Sequence, residues 1–238
     1  MIFKQFFDRI SHTYTYLIAD EPGSEACIID PVFENINDYL KVINELNLKL
    51  LKVIDTHIHA DHISGVAALK KSTNCEIIMG KSTNSTFVAS IEVKDQEIIK
   101  IGKIKMQALY TPGHTCDSYC FKLNDRVFTG DTLLISGTGR TDLQGGDPHK
   151  SYESIFNILL KLNEDMAIFP AHDYNNRKSS TIKNEKLFNP RLQVKNKLEY
   201  VNIMNNLKLE SPRLMDIAIP LNKFGLKTNY ISKKNKIR

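Results

Sequence analysis

His57-Ile58-His59-Ala60-Asp61-His62 places four metal-binding side chains within six residues. The run comes just after Leu50-Leu51-Lys52-Val53-Ile54, an apolar stretch that reads as a buried strand. Side chains at a strand end can converge on one point from a rigid base. Imidazole nitrogen and carboxylate oxygen together suit zinc, iron or manganese. The chain has seven histidines, and three of them stand in these six positions. A solvated loop has no use for that concentration.

Three further segments repeat the arrangement downstream. Thr111-Pro112-Gly113-His114 follows the strand-like Ile104–Leu109. Gly130-Asp131 follows the short apolar run ending at Thr129, and Pro170-Ala171-His172 closes the series. Each is a β-rich run, a turn residue and one ligand. From the residues alone, His57, His59 and His114 can form one site, and Asp61, His62 and His172 a second. Asp131 can serve either or bridge both. Taken singly, each is more often a structural histidine or an ordinary carboxylate. An ordered set over four segments is far harder to produce by accident.

The pattern His-x-His-x-Asp-His, followed by distant His, Asp and His, resembles the metallo-β-lactamase superfamily at all seven positions. That resemblance implies a four-layer αββα sandwich. Periodicity alone gives only a mixed α/β protein. The implied organisation is one metallo-β-lactamase-type domain over 1–225, helical from about residue 180, with a basic tail over 226–238.

A chain of 238 residues is ample for one sizeable core. Hydrophobic content of 42% and charged content of 25% are those of an ordinary globular protein. No apolar run approaches the roughly 20 residues that span a bilayer, so no membrane partner is expected. The start, Met1-Ile2-Phe3-Lys4-Gln5-Phe6-Phe7, reads as a first strand and lacks the long apolar centre of a signal peptide. The expected location is cytoplasmic. Cys27, Cys75, Cys116 and Cys120 have no zinc-ribbon or Cys-x-x-Cys spacing, so free, packed thiols are expected. The net charge of +5 is partly local: Lys223, Lys227, Lys233, Lys234, Lys236 and Arg238 crowd the end. The tail lacks interleaved aromatics, so no nucleic-acid partner is expected.

Strands are expected at Thr13–Ala19 and Ala26–Ile29, paired around Asp20-Glu21-Pro22-Gly23. Ser118–Leu123 and Arg126–Thr129 should form a hairpin at Asn124-Asp125, and Met166–Phe169 a further strand. Ile36, Leu40, Ile43 and Leu46 predict a helix over Asn35–Leu46. Further helices are expected at Gly65–Lys71, around Ile155–Leu162 and over Leu192–Asn205, followed by an irregular end.

Within the superfamily, several segments resemble the persulfide dioxygenases. They are Tyr14-Thr15-Tyr16-Leu17, Asp55–Gly65, Gly130–Ile135 with Gly139-Arg140-Thr141-Asp142, Pro170–Tyr174 and Asn189-Pro190-Arg191-Leu192. Pro220-Leu221-Asn222-Lys223-Phe224-Gly225 resembles the family's ending, with Phe224 in place of an expected Cys. The resemblance implies one iron(II) per chain, held by His57, His114 and Asp131 as a facial triad with three open positions. It implies glutathione persulfide and dioxygen as reactants, with sulfite and glutathione as products. His59, Asp61, His62 and His172 then orient the ligands, or form an alternative second metal site. Arg140 suits a glutathione carboxylate by its bidentate fork, or a salt bridge with Asp142. Tyr174 suits a hydrogen bond to substrate. A homodimer is left open.

Two competing readings remain. A dinuclear hydroxyacylglutathione hydrolase (glyoxalase II) would use all seven ligands. A non-catalytic metal- or thiol-binding protein would fit the same fold if its open positions were blocked. Metal stoichiometry separates the three.

Overall fold

The computed structural model describes residues 1–81 and 88–225, so the expected basic tail lies outside the described residues. Among these residues twelve strands form two six-stranded sheets. The first runs in chain order: β1 (Ile2–Phe7), β2 (Tyr14–Ala19), β3 (Glu25–Ile29), β4 (Lys49–Ile54), β5 (Glu76–Gly80) and β6 (Ile91–Val93). The first three strands are antiparallel to one another, and β3 to β6 are parallel. The second sheet holds β7 (Ile98–Ile101), β8 (Ile104–Tyr110), β9 (Tyr119–Lys122), β10 (Arg126–Gly130), β11 (Ala167–Pro170) and β12 (Ser180–Thr181). It is antiparallel except where β10 meets β11.

Strand β2 shows why the layers stack. Every residue of Tyr14-Thr15-Tyr16-Leu17-Ile18-Ala19 is buried. Alternate side chains of a strand point to opposite faces. Tyr14, Tyr16 and Ile18 enter the core between the sheets, with Phe121, Phe128 and Phe169. Leu17 and Ala19 enter a second core beneath helices α1 (Ile36–Glu45) and α2 (Val66–Thr73), with Tyr39, Ile43, Val66 and Leu69. A sheet buried on both faces needs helices outside it. The outer face of the second sheet is covered likewise by Ile155, Leu159, Ile182, Tyr200 and Met204. Those residues belong to the helical stretch Pro148–Lys161 and to α4 (Ile182–Phe188) and α5 (Lys197–Asn205); α3 is the opening turn of that stretch, Pro148–Tyr152. The result is helix, sheet, sheet, helix, the αββα sandwich that the resemblance implied.

The expected strands, the hairpin and the two early helices are present, with ends shifted by one or two residues. Three helical regions differ. The one expected around Ile155–Leu162 begins at Pro148, widens to a π turn over Glu153–Ile158 and closes as a 3-10 turn, Leu159–Lys161. The one expected from Leu192 begins at Lys197, because Asn196 caps it: its side chain accepts the Glu199 N–H at 3.1 Å. The end expected to be irregular holds α6 (Met215–Phe224), with Pro220 inside it. Among the described residues no helix is long and apolar enough to cross a membrane.

Candidate metal centre and substrate cavity

The four ligand segments leave neighbouring strand ends. The hexapeptide follows β4, His114 follows β8, Asp131 follows β10 and His172 follows β11. One donor atom each from His57, His114 and Asp131 lies within 4.8 Å of the others. The Nδ1 atom of His57 is 2.9 Å from Thr56 Oγ1, whose proton goes to Asp30 Oδ2 at 3.0 Å. The hydroxyl therefore accepts from Nδ1–H, and Nε2 of His57 carries the lone pair. His114 Nδ1 lies 2.8 Å from the Arg140 carbonyl, which can only accept. Its Nε2 is again the free base, 3.6 Å from Asp131 Oδ2. Two imidazole lone pairs and one carboxylate oxygen thus face one another. Burial holds His57 well below the usual histidine range, so it stays neutral as a ligand must.

His59, Asp61, His62 and His172 form a different kind of group. His172 donates from Nδ1 to Asp131 Oδ1 at 2.7 Å, and its Nε2 lies 3.0 Å from Asp61 Oδ2. Burial opposes a charge on His172, but Asp131 and Asp61 override it and hold its pKa well above the ordinary value. Burial likewise opposes the charge on Asp131, yet His172 keeps that carboxyl far below the usual carboxylate range. His62 Nδ1 is 3.0 Å from Asp61 Oδ2. His59 Nε2 is 3.1 Å from Asp30 Oδ1; burial lowers its pKa, but Asp30 raises it to about 9. His59 therefore leaves the His57–His114 grouping that spacing allowed and groups with Asp61 and His62, or with Asp30 and Asp55. Two buried atoms of this group, His59 Nδ1 and His62 Nε2, have no hydrogen-bond partner.

Backbone shape places these groups. Gly130 has φ +51°, and a Cβ there would lie 2.7 Å from Thr56 Oγ1. At Gly139 a Cβ would lie 2.2 Å from the Asp131 carbonyl oxygen and 2.8 Å from the His114 ring. Only glycine lets the 137–140 loop pass so close, with Gly139 N–H bonded to the Asp131 carbonyl at 2.7 Å.

Three residues at the site were not singled out from sequence. Asp30 (φ +50°) directly follows β3 and accepts from the Thr56 N–H, the Thr56 hydroxyl and the His59 ring. Thr13 is fully buried, and its hydroxyl lies 3.0 Å from His172 Nε2 and 3.4 Å from both Asp61 Oδ2 and His62 Nδ1. Asn222 of α6 accepts the Ser64 N–H at 2.8 Å and donates to the His59 and His62 carbonyls at 2.9 Å. The late helix is thereby tied to the ligand loop. Asn222 lies inside the quoted Pro220–Gly225 segment; Thr13 and Asp30 carry no local signal.

The His57–His114–Asp131 group opens into a cavity of about 470 Å³. That is in the range of small-molecule sites, roughly 300–1,000 Å³. Its wall includes Leu134, Leu143, Leu209 and Pro212, with Arg140, Gln144, Tyr174, Arg191 and Glu210 as polar groups. Arg140 donates from Nε and Nη2 to Asp142 at 2.6 and 2.7 Å and to the carbonyls of Leu209 and Glu210. Tyr174 stacks on the His172 ring, 6.3 Å between centroids and 7° between planes, and is 66% exposed. None of the four cysteines is in a disulfide, and Cys116 is the one not fully buried. Among the described residues Cys116 joins no group able to hold a metal.

Comparison with known proteins agrees with this geometry. The metallo-β-lactamase superfamily model matches residues 9–92 and 88–172. Human mitochondrial persulfide dioxygenase ETHE1 is 38% identical over 225 residues, covering 93% of this chain and 87% of that protein. The crystal structure of ETHE1 from Myxococcus xanthus superposes with a TM-score of 0.90 at 43% identity, over 94% of this chain and 98% of the other. A hydroxyacylglutathione hydrolase of Francisella tularensis subsp. novicida is 34% identical over 173 residues, covering 72% of this chain and 67% of that protein. With a model match over more than half its length and identity spread over nearly all of it, the chain belongs to the metallo-β-lactamase superfamily and, within it, to the persulfide dioxygenase family.

Proposed function

We propose that this protein is a glutathione persulfide dioxygenase with one iron(II) per chain, held by His57, His114 and Asp131. Persulfide, dioxygen and water give the thiol, sulfite and two protons. The terminal sulfur gives up four electrons and dioxygen accepts them. When bound, the iron supplies open coordination positions and the redox chemistry that lets dioxygen oxidise that sulfur.

The donor set suits such an ion. Two neutral imidazoles and one carboxylate form a partial shell that leaves room for two reactants. The observation that carries the reading is the position of His172. It holds Asp131 Oδ1, which turns the other oxygen, Oδ2, toward the two free imidazole nitrogens of the triad. The remaining tasks fall to the chain's own groups. The Arg140 carbonyl and Thr56 hydroxyl fix the two imidazole tautomers. Leu134, Leu143, Leu209 and Pro212 give the cavity an apolar wall that restricts water. Tyr174 borders the mouth beside His172, where a phenol can meet the incoming substrate. Arg140 shapes the wall with its fork already on Asp142; direct contact with substrate would require that pair to open.

The hydrolase remains the second reading, favoured by the partnerless nitrogens of His59 and His62. One preparation decides between them. Metal analysis is expected to give near one iron per chain, and oxygen uptake to depend on glutathione persulfide. Two metals per chain with rapid S-lactoylglutathione hydrolysis and no persulfide-dependent oxygen uptake would overturn the dioxygenase reading.

A further inference from the structure

Two buried hydroxyl pairs of the sandwich end on backbone carbonyls. Thr15 and Tyr39 lie 2.9 Å apart, and Thr15 donates to the Asp30 carbonyl at 2.7 Å. Thr111 and Thr132 lie 3.2 Å apart, and Thr132 donates to the Thr111 carbonyl at 3.2 Å. A carbonyl accepts a hydrogen bond but passes no proton on. The pair Ser11–Thr13 differs, because it has a carboxylate at each end.

Ser11 Oγ donates to Asp8 Oδ2 at 2.8 Å and lies 2.7 Å from Thr13 Oγ1. A hydroxyl has one proton, and that of Ser11 is on Asp8, so Thr13 is the donor in the 2.7 Å contact. At the inner end Thr13 Oγ1 is 3.4 Å from Asp61 Oδ2 and 3.0 Å from His172 Nε2. Asp61 also lines the cavity that His57, His114 and Asp131 share. Both O–H bonds therefore point the same way, from the cavity toward Asp8. The outer end suits release to water. Asp8 keeps 9% of its surface accessible and precedes the exposed Arg9 and Ile10. Burial opposes its charge, but hydrogen bonds from Ser11, Asn35 and Ile10 hold its pKa below the ordinary carboxylate value.

We propose that Asp61, Thr13, Ser11 and Asp8 form a proton relay, which carries protons released in the cavity out through the turn between β1 and β2. The inference rests on the dioxygenase reading for the source of those protons, two per turnover. In each passage a proton from cavity water adds to Asp61. It moves to Thr13 Oγ1 as the Thr13 proton moves to Ser11 Oγ and the Ser11 proton to Asp8 Oδ2. Asp8 then gives its proton to solvent. Between Asp61 and Asp8 three O–H bonds break and three form, and rotation of the two hydroxyls restores the start. His172 keeps its own protons throughout. The cavity mouth is left to substrate and product.

The test uses the full-length, iron-loaded protein and oxygen uptake with glutathione persulfide. Assays run in dilute buffer, with and without added 2,6-lutidine, a hindered base that binds metals poorly. Ser11→Ala cuts the chain at a hydroxyl that bonds Asp8 and Thr13 and none of the seven ligand-type residues. In dilute buffer its kcat should fall about 10-fold, less than the roughly 10²–10⁴ of a group that transfers protons to the reacting atoms. Its KM and iron content should not change. Lutidine should restore its kcat and leave wild type unaffected, a rescue that a merely structural role would not show. Ser11→Thr, which keeps a hydroxyl, should retain the wild-type kcat. An unchanged kcat for Ser11→Ala in dilute buffer, or a loss that lutidine does not restore, would overturn the relay. Should Ser11→Ala fail to fold, Thr13→Val breaks the same chain one link further in and is read the same way at saturating iron. Absence of persulfide-dependent oxygen uptake in wild type would remove the dioxygenase reading. The same comparison on S-lactoylglutathione hydrolysis, which also releases a proton, would then decide the relay.

Discussion

The seven ligand-type residues divide into an open half and a closed half. In the open half, His57 and His114 have their Nδ1 atoms engaged by neutral oxygens, and their lone pairs meet Asp131 Oδ2 at the cavity. In the closed half, charge is balanced internally: Asp61 lies between His62 and His172, His172 between two carboxylates, and His59 against Asp30. The same residue types, a few ångströms apart, are thus prepared for different tasks. The first half awaits an external group. The second fixes the first through the His172–Asp131 contact and through Asp30, which holds both His59 and the Thr56 hydroxyl on His57. The difference arises from what each histidine meets on its other nitrogen, a neutral acceptor or an anion. Counting ligands cannot show it.

The comparison breaks most severely at the open half. His114→Ala and Asp131→Ala are each expected to reduce bound iron to background and to abolish persulfide-dependent oxygen uptake, as read by metal analysis and an oxygen electrode. Retention of iron in either variant would mean the triad is wrongly chosen. Gly139→Ala attacks the same half without removing a ligand. A Cβ 2.2 Å from the Asp131 carbonyl oxygen meets backbone, which cannot swing away. Overpacking of this kind costs about 1–3 kcal/mol. Iron affinity and thermal midpoint should therefore fall together. A variant with both unchanged would show that the 137–140 loop stands further from the ligands than described.

The closed half should behave differently. His62→Ala is expected to keep most of its iron while turnover falls roughly 10–100-fold, the range typical of groups that orient ligands. His172→Ala should weaken iron more than His62→Ala does, because His172 touches Asp131 and His62 does not. Full metal loss from His62→Ala would make His62 a direct ligand and move the assignment toward two metals.

Which parts of this were legible in the sequence follows from how local their signals are. The strands were readable because a strand buried on both faces must be apolar throughout, as in β2. The ligand set was readable because histidines are scarce here and stand at strand ends. The start of α5 was misread, since Leu192 fits the apolar period; Asn196 followed by Glu199, a capping pattern, was the better guide. Helix α6 was hidden by Pro220, which removes a helical N–H donor. Its Asn222 instead makes three hydrogen bonds to the ligand loop, contacts that span 158 to 163 residues of sequence. The hydroxyl chain from Thr13 to Asp8 was equally invisible, because a sequence does not say which hydroxyls meet end to end. The division of the ligands into two halves depends on tautomers, and these are set by partners from other strands.

Thr13 gives the mildest test of that division. It reaches the closed half from the turn before β2, held there by Tyr14 N–H bonding the Ala171 carbonyl at 2.7 Å. Its hydroxyl is shared among Ser11 Oγ, His172, Asp61 and His62, with the shorter contacts to Ser11 at 2.7 Å and His172 at 3.0 Å. Thr13→Val preserves shape and removes only the hydroxyl. His172 would keep both carboxylates, so its charge and its hold on Asp131 should survive. What is lost is the group that fixes the ring's rotation about that pair. Iron affinity is expected to stay within about 10-fold of wild type, at or below the lower end of ligand-orienting losses. Thr13→Ser, which restores the hydroxyl, should recover the difference. A change as large as that of His114→Ala would mean that the closed half holds the metal itself. No change in either variant would mean that Asp61 and Asp131 alone orient His172.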